Sequence, residues 1–397
     1  MPLRRTASRF ESLPAMPFYF ALVLCGLVTV LLGPILPVIS ARRSLSDIEG
    51  GWLFTAQFSA SVVGSVLSSY YPRKSVALGM ASIAVGLVVL AVGHYQAALV
   101  AFALMGAGLG AVVSATNLIF GTEYPERRGS LLTRVNFCWG AGAVLSPELV
   151  ALAVREQALQ PLLLVLALSA LFAFAAFLPL LRRGVGDDLT RAVAEAQSSA
   201  TLREKAQLGV RIFVLFSLIL FLYVGAETTI AGWIATYVHR LIGLSVARGS
   251  LFVSAFWLAL VAGRGLVVVL LRMLPERVVL LAGLAIAMAG VAALLSPDTP
   301  GAAFAAVVVA GLGCAPIFPL SVSRMLARTG RTRHAGWIFA ICGWGGAVVP
   351  WITGVISQES GGLRAAFLAP LAALAGILVC VLIEGGMARP GSDFLQR

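Results

Sequence analysis

Long apolar stretches, separated by short polar breaks, run along this chain from Pro17 almost to its C-terminus. Most of them contain about 20 residues, the length that an α-helix needs to cross a hydrocarbon core about 30 Å thick. The pattern predicts an all-α membrane protein with twelve spanning helices. The predicted spans are 16–40, 51–71, 75–93, 97–121, 130–152, 158–181, 208–238, 249–271, 276–295, 301–325, 334–356 and 364–383.

One long polar stretch interrupts this pattern at its middle. Residues 182–207 contain charges of both signs and separate the first six spans from the last six. We therefore predict an N-terminal six-helix bundle over 1–181, a cytoplasmic linker over 182–207 and a C-terminal six-helix bundle over 208–397. A short basic loop follows the second span of each half, as expected of transporters in which two related bundles rock around a central site.

The amino-acid composition is typical of a protein that lies largely within a lipid bilayer. Of its 397 residues, 59% are hydrophobic and 12% are charged, whereas ordinary soluble domains contain about 25% charged residues. The mean hydropathy is +0.96. The net charge of +12 lies mostly in the short connections, which argues against a nucleic-acid partner. With the N-terminus in the cytoplasm, 22 of the 29 Lys and Arg residues fall in inner segments and 6 in outer loops. This asymmetry predicts an inner-membrane protein with both termini cytoplasmic.

Motifs typical of enzymes are absent from the sequence. It contains no GxxxxGK[ST] phosphate loop, no HExxH zinc motif and no GxSxG elbow. The five cysteines fall inside apolar stretches, without CxxC pairs or histidine partners at metal-binding spacing. We predict a secondary transporter that is not an enzyme, acts as a monomer, and binds a small-molecule substrate without a cofactor or metal.

Ionisable residues inside the spans are the first functional candidates, because a charge at the centre of a spanning helix costs about 2.5–3.5 kcal/mol. Glu227 lies near the middle of span 7, and a buried carboxylate there is suited to binding a coupling proton. A structural role stays open, in which Glu227 pairs with Arg264 of span 8 or hydrogen-bonds a neighbouring helix. Arg264 is either a structural clamp or a substrate contact. Glu148 lies near the outer end of span 5, where it can reach water.

Amides and indoles at membrane depth form a second set of candidates. Asn136 and Trp139 lie three residues apart on span 5, so an amide and an indole share one helical face. Aromatic rings suit the C–H faces of a neutral polyol, and amides suit its hydroxyl groups. Each residue alone can equally be a helix-packing or interfacial residue. The residues that we predict to bind substrate are Gln57, Asn117, Asn136, Trp139, Glu227, Trp257 and Trp344.

Prolines interrupt the helical ladder in three spans. They are Pro34 and Pro37 in span 1, Pro316 and Pro319 in span 10, and Pro350 in span 11. A proline lacks the N–H of the ladder, and membranes tolerate this where the interruption lines a cavity or where neighbours satisfy the freed carbonyls. We predict that these interruptions belong to moving gate helices.

Six plus six spans around a central cytoplasmic loop resemble the major facilitator superfamily over nearly the whole chain. The family's motif after helix 2 is matched in part by GSVLSSYYPRK at 64–74. Gly64, Arg73 and Lys74 stand where that motif expects them, whereas Ser68 takes the usual acidic position. The resemblance implies two six-helix bundles with inverted 3+3 repeats, and structural or gating roles for Gly64, Arg73, Lys74 and Arg264.

Four segments resemble, within that superfamily, the fucose/glucose/galactose permease family. They are NFCWGAGAVLSP in span 5, YVGAETTIAGWIATYV in span 7, FWLALVAGR in span 8 and APIFPLSVS in span 10. This resemblance implies import of a hexose by alternating access, driven by protons or sodium. Proton-driven members have acidic residues in helices 1 and 4, but span 1 here has none and the nearest acid to span 4 is Glu123. Glu227 is then the coupling candidate for a proton or a sodium ion.

Other interpretations stay open. An uncoupled sugar facilitator fits the absence of an acid in span 1. An efflux carrier for drug-like or lipid substrates, working as a proton antiporter, fits the apolar character of the chain and predicts a larger, more apolar cavity. A membrane sensor that transports nothing would need a signalling domain, which we do not expect here.

Overall fold

All regular secondary structure in the described part of the chain is helical. The computed structural model describes residues 15–123, 128–182, 210–297, 299–329 and 333–386. Its helices are α1 (Ala15–Val30), α2 (Leu32–Arg43), α3 (Asp47–Ser68), α4 (Pro72–Val92), α5 (Tyr95–Glu123), α6 (Arg128–Arg155), α7 (Leu159–Arg182), α8 (Val210–Ile242), α9 (Val246–Leu270), α10 (Glu276–Ala293), α11 (Pro300–Cys314), α12 (Ile317–Thr329), α13 (Arg333–Glu359), α14 (Leu363–Ala366) and α15 (Leu368–Gly386).

These helices confirm the all-α class and the predicted spans. Among the described residues, ten helical segments are long and apolar enough to cross a membrane, and the pair α1 and α2, bent by 44°, makes an eleventh span. The helix α3, of 22 residues, is long enough to span but less apolar than these, and it packs against α5 and α13; with it the spans number the predicted twelve. Each helix begins and ends within about one turn of its predicted bounds. The predicted linker, apart from Arg182, lies outside the described residues.

Two of the three spans in which we expected proline interruptions are broken. The first breaks at Leu31, between α1 and α2, and the tenth breaks at Ala315 and Pro316, between α11 and α12. The expected interruption at Pro350 does not break the helix, because α13 continues through it to Glu359. The indole N–H of Trp233 donates to the Pro350 carbonyl at 3.1 Å, which ties α13 to α8 at this point.

Close backbone contact fixes the helices within each half. We use N half for residues 15–182 and C half for residues 210–386. Between α3 and α5, a Cβ on Gly64 would overlap the Ala107 carbonyl, and Cβ atoms on Gly106 and Gly110 would overlap carbonyls of α3. In the C half, a Cβ on Gly345 of α13 would overlap a carbonyl of α8. Such contacts between backbones are typical of membrane helix packing and leave little room for sliding.

The two halves meet tightly at one end, which we call the closed end and which includes the loops at 44–46, 243–245 and 360–362. Asp47 at the start of α3 accepts hydrogen bonds from Arg240 of α8 at 2.7 Å and from Ser357 of α13 at 2.6 Å. Farther along the same interface, Thr55 donates to the Ala347 carbonyl at 2.9 Å. These bonds tie the N half to two helices of the C half.

The halves separate toward the other end, which we call the open end and which includes the loops at 69–71 and 271–275. Between α3 and α13, a Cβ on Gly343 would lie 2.6 Å from a methyl group of Val62, so these helices are still in contact there. On α6, Asn136 lies one turn beyond Trp139 on the interface face, yet its side chain is exposed. Arg264 likewise continues the interface face of α9, and 42% of its side chain is exposed. Among the described residues, the side chains of the interface are therefore packed at one end and exposed at the other.

Candidate functional site

A cavity of about 110 Å³ lies at the interface of the two halves. A water molecule needs about 10–15 Å³ on the same measure, so the cavity holds several waters or a small solute. It is lined by Thr29 and Val30 of α1, Gly33 of α2, Phe54 and Phe58 of α3, Trp139 of α6, Val224, Glu227, Thr228, Ala231 and Gly232 of α8, and Trp257 of α9. Both halves therefore contribute to one central site.

The break in the first span shapes one wall of the cavity. Thr29 lines this wall, and its hydroxyl donates to the Cys25 carbonyl at 2.7 Å. Below the break, a Cβ on Gly33 would lie 2.6 Å from the Ala231 carbonyl of α8. Glycine at this position lets α2 approach the C half closely.

Glu227 is the one acidic residue that lines this cavity. Its Oε1 accepts a hydrogen bond from the Tyr223 hydroxyl at 2.8 Å. Arg264 Nη2 lies 3.9 Å from the same oxygen, at the outer limit of an ion pair, and the exposed arginine is screened by water. The hydrogen bonds among the described residues leave Glu227 Oε2 free to accept from a solute. A compact structural ion pair with Arg264 is therefore not formed.

Aromatic rings form the apolar part of the site. The Trp139 and Trp257 rings meet edge to face across the interface, with centroids 5.5 Å apart. Phe54 and Phe58 face the cavity from α3. The Trp257 indole N–H is buried, and no hydrogen-bond acceptor reaches it among the described residues. The site thus combines two indoles from opposite halves with a single carboxylate.

Only three of the predicted substrate-binding residues line this cavity: Trp139, Glu227 and Trp257. The amides of Asn117 and Asn136 each donate to a carbonyl of their own helix, those of Val113 and Leu132. Gln57 is buried and donates to the Thr29 carbonyl, which places it behind the cavity wall. Trp344 lies outside the cavity lining and is 46% exposed on α13. Their roles in binding stay predictions.

Three of the predicted structural or gating residues, Gly64, Arg73 and Lys74, lie away from the cavity, whereas the fourth, Arg264, approaches Glu227 in its wall. Gly64 permits the backbone contact with α5 described above. Arg73 and Lys74 occupy the first turn of α4 at the open end, where Lys74 Nζ lies 5.9 Å from the centre of the Tyr71 ring. Glu148 is exposed on α6.

Two features of the structure were not predicted from the sequence: the hydrogen bonds of Asp47 across the closed end, and the hydrogen bond from Tyr223 to Glu227. Asp47 lies in the first turn of α3, next to the capping box formed by Ser46 and Glu49. An acidic residue at that position is typical of a helix N-terminus and does not by itself suggest a further role. Nothing in the sequence joins Asp47 to Arg240, which lies 193 positions away. Tyr223 could have been found, because it precedes Glu227 by four residues and so shares its helical face.

Comparisons with known proteins agree with this architecture. The D-xylose–proton symporter is similar, with a TM-score of 0.74 and 15% identity over 94% of this chain and 97% of that one. The xylose transporter XylE from E. coli, in an inward open conformation, matches with a TM-score of 0.73 and 13% identity over 96% and 97%. The peptide transporter POT, bound to sulfate, matches with a TM-score of 0.74 and 14% identity over 94% of each chain.

The comparison with family models identifies the family to which the chain belongs. No curated protein matches this chain. The family model described as Major Facilitator Superfamily matches residues 18–321, well over half of the sequence. The fold class predicted from the spans is thus confirmed, and the chain belongs to the major facilitator superfamily.

Proposed function

We propose that this protein is an alternating-access secondary transporter that moves a small neutral solute through the cavity at Glu227, Trp139 and Trp257. The observation that supports this best is the position of the cavity, between two halves that touch at one end and part at the other. A solute bound there contacts both halves, so its binding energy can favour one arrangement of them over another.

A monosaccharide is the substrate class that we propose first. The indole rings of Trp139 and Trp257 suit the C–H faces of a sugar, and Glu227 Oε2 suits a sugar hydroxyl. The resemblance to the fucose/glucose/galactose permease family in spans 5, 7, 8 and 10 supports the same class. So does the likeness to the D-xylose–proton symporter, which is a likeness of fold at 15% identity.

Glu227 is the proposed coupling residue. A carboxylate in the cavity can exchange a proton, bind a sodium ion or accept a substrate hydroxyl, and one free oxygen is available for any of these. We place both termini in the cytoplasm, because the Lys and Arg residues are concentrated in the loops of that side. On this orientation the open end faces the cytoplasm.

Hexose counterflow in proteoliposomes tests this function. Purified protein is reconstituted with unlabelled hexose inside, and uptake of the same radiolabelled hexose is followed. Counterflow needs no driving ion, so it reports binding and exchange alone. We expect one hexose to exchange, and we expect Glu227→Gln to abolish uptake driven by a proton or sodium gradient.

Glu148→Gln is the matched control, because it removes a carboxylate that lies on α6 outside the cavity. It should leave both counterflow and driven uptake unchanged. If no hexose exchanges, the substrate class is wrong. If driven uptake survives Glu227→Gln at the wild-type rate, the coupling role is wrong.

The second candidate is efflux of an apolar solute. It is favoured by the cavity lining, in which the polar side chains are those of Thr29, Glu227 and Thr228 and the other nine residues are aromatic, aliphatic or glycine. This function predicts that apolar cations or lipids, rather than hexoses, drive proton release when they are added to proton-loaded proteoliposomes. A pH-sensitive dye inside the vesicles measures it directly.

A further inference from the structure

Tyr223 lies between Glu227, the proposed coupling residue, and the break between α11 and α12 in the C half. It is completely buried on α8, one turn before Glu227. Its hydroxyl lies 2.8 Å from Glu227 Oε1 and 3.2 Å from the carbonyl oxygen of Cys314. A phenol has one hydrogen to donate, so these two acceptors compete for it.

The second acceptor lies at the break between α11 and α12. Cys314 is the last residue of α11, and Pro316 and Pro319 follow it without backbone N–H groups. Among the described residues, no backbone N–H outside the helices donates to the Cys314 carbonyl. The ring of Tyr223 also packs on Phe318 of α12, with centroids 5.6 Å apart. Tyr223 therefore contacts both sides of the break.

We propose that Tyr223 is a positioning residue that transmits the state of Glu227 to the break between α11 and α12. While the carboxylate is charged and free, the phenol donates to it. When Glu227 takes a proton from the cavity, or gives its oxygen to a cation or a substrate hydroxyl, the phenol hydrogen turns to the Cys314 carbonyl. Binding at Glu227 then strengthens the hydrogen bond from Tyr223 of α8 to the carbonyl at the end of α11. The inference rests on the proposed function, because it requires Glu227 to bind a cation or solute.

The other groups that face Glu227 do not supply such a connection. Arg264 approaches from α9, but at 3.9 Å and with a side chain that water reaches. The thiols of Cys314 and Cys342 face it from α11 and α13 and are buried. Among the described residues, Tyr223 is the group that donates a hydrogen bond directly to the Glu227 carboxylate.

A double-mutant cycle on the conformation of the full-length protein tests the proposal without a substrate. Spin labels at Glu156→Cys and Arg248→Cys measure the separation of the halves at the closed end, and labels at Ser69→Cys and Met273→Cys measure it at the open end. All four positions are exposed. Cys138 is replaced by Ala in every variant, because the other four cysteines are buried. Glu227→Gln serves as the uncharged state of the carboxylate.

In the parent protein, we expect Glu227→Gln to change the ratio of the two conformations about fivefold, which corresponds to one net hydrogen bond of about 1 kcal/mol. In the Tyr223→Phe background we expect no resolvable change. Tyr237→Phe is the matched control, since it removes a buried hydroxyl from the same helix that donates to the Leu294 carbonyl. It should preserve the fivefold response.

An equal response to Glu227→Gln with and without the Tyr223 hydroxyl would overturn the proposal. So would the absence of any response in the parent protein, because Tyr223 would then have nothing to transmit. Hexose counterflow is measured separately, so a wrong substrate class leaves this test intact. Monodisperse elution of Tyr223→Phe in detergent shows that the variant is folded, and phenylalanine keeps the packing against Phe318.

Discussion

The closed end offers the sharpest test of the alternating-access proposal. Asp47 accepts one hydrogen bond from Arg240 and one from Ser357, and its side chain is 11% exposed. Asp47→Asn removes the charge and keeps one acceptor oxygen. We expect it to weaken the closed end and to shift the population toward a state in which this end is open.

The size of the shift follows from the two bonds. The Arg240 side chain is 38% exposed, so its ion pair contributes only about 0.2–1 kcal/mol. The bond from Ser357 to a charged and largely buried carboxylate is worth about 1.5–3 kcal/mol, and asparagine retains part of it. Losing about 1.5 kcal/mol in total changes the equilibrium between the two conformations roughly tenfold.

Spin labels at Glu156→Cys and Arg248→Cys measure this population directly. A charge exchange, Asp47→Arg combined with Arg240→Asp, is the control, and it should recover part of the closed population while either change alone does not. An Asp47→Asn protein whose label distances match those of the parent would refute the reasoning, because the two bonds would then contribute nothing to closure.

Three further predictions concern packing, buried charge and the cavity. Gly64→Ala should lower the midpoint of thermal unfolding and cost about 1–3 kcal/mol, because its methyl group would overlap the Ala107 carbonyl, whereas Gly265→Ala, with open space around it, should be neutral. Glu384→Gln should destabilise the protein by about 3–5 kcal/mol, because the buried Glu384 binds both Arg324 and Arg328, and Glu359→Gln on the exposed end of α13 is its control in the same melting assay. Trp139→Leu should weaken counterflow of the transported hexose at least tenfold by raising its half-saturating concentration, whereas Trp337→Leu, outside the cavity, should not; equal effects of the two would refute a stacking role.

The fold was predictable from the sequence because the bilayer imposes a simple rule on it. A helix that faces lipid must be apolar over about 20 residues, so most spans are visible in the hydropathy pattern alone. The span predicted at 51–71 is found at Asp47–Ser68, where the polar breaks on either side marked its ends although the helix itself is less apolar than the others. The outcome at Pro350 was less predictable, since whether a helix breaks or continues at a proline depends on how the surrounding helices pack against it, and α13 continues to Glu359.

The candidate site was predictable only in part, because the sequence does not show whether a polar side chain faces the cavity or bonds to its own helix. A charged residue such as Glu227 is costly inside a spanning helix unless it has a partner or a function. The indoles of Trp139 and Trp257 are large and have an N–H that needs an acceptor. These residue types alone therefore indicated positions at the interface. The amides of Asn117 and Asn136 can instead bond to the carbonyl four residues earlier on their own helix, and they do. Composition does not reveal this choice, because both alternatives satisfy the amide N–H.

The backbone contacts within the halves predict which distances stay constant during transport. Because α3 and α5 touch at Gly64, Gly106 and Gly110, sliding one past the other would force backbone atoms together. The contacts between the halves include side-chain bonds such as those of Asp47 and close backbone approaches such as that of Gly33 to Ala231, and both kinds of contact can part when the halves move away from each other. Spin labels on α3 and α5, at Val63→Cys and Val100→Cys, should therefore keep their separation in Asp47→Asn, while the labels across the closed end move apart. A change within the N half comparable to that between the halves would mean that the bundle deforms rather than rocks as a rigid body.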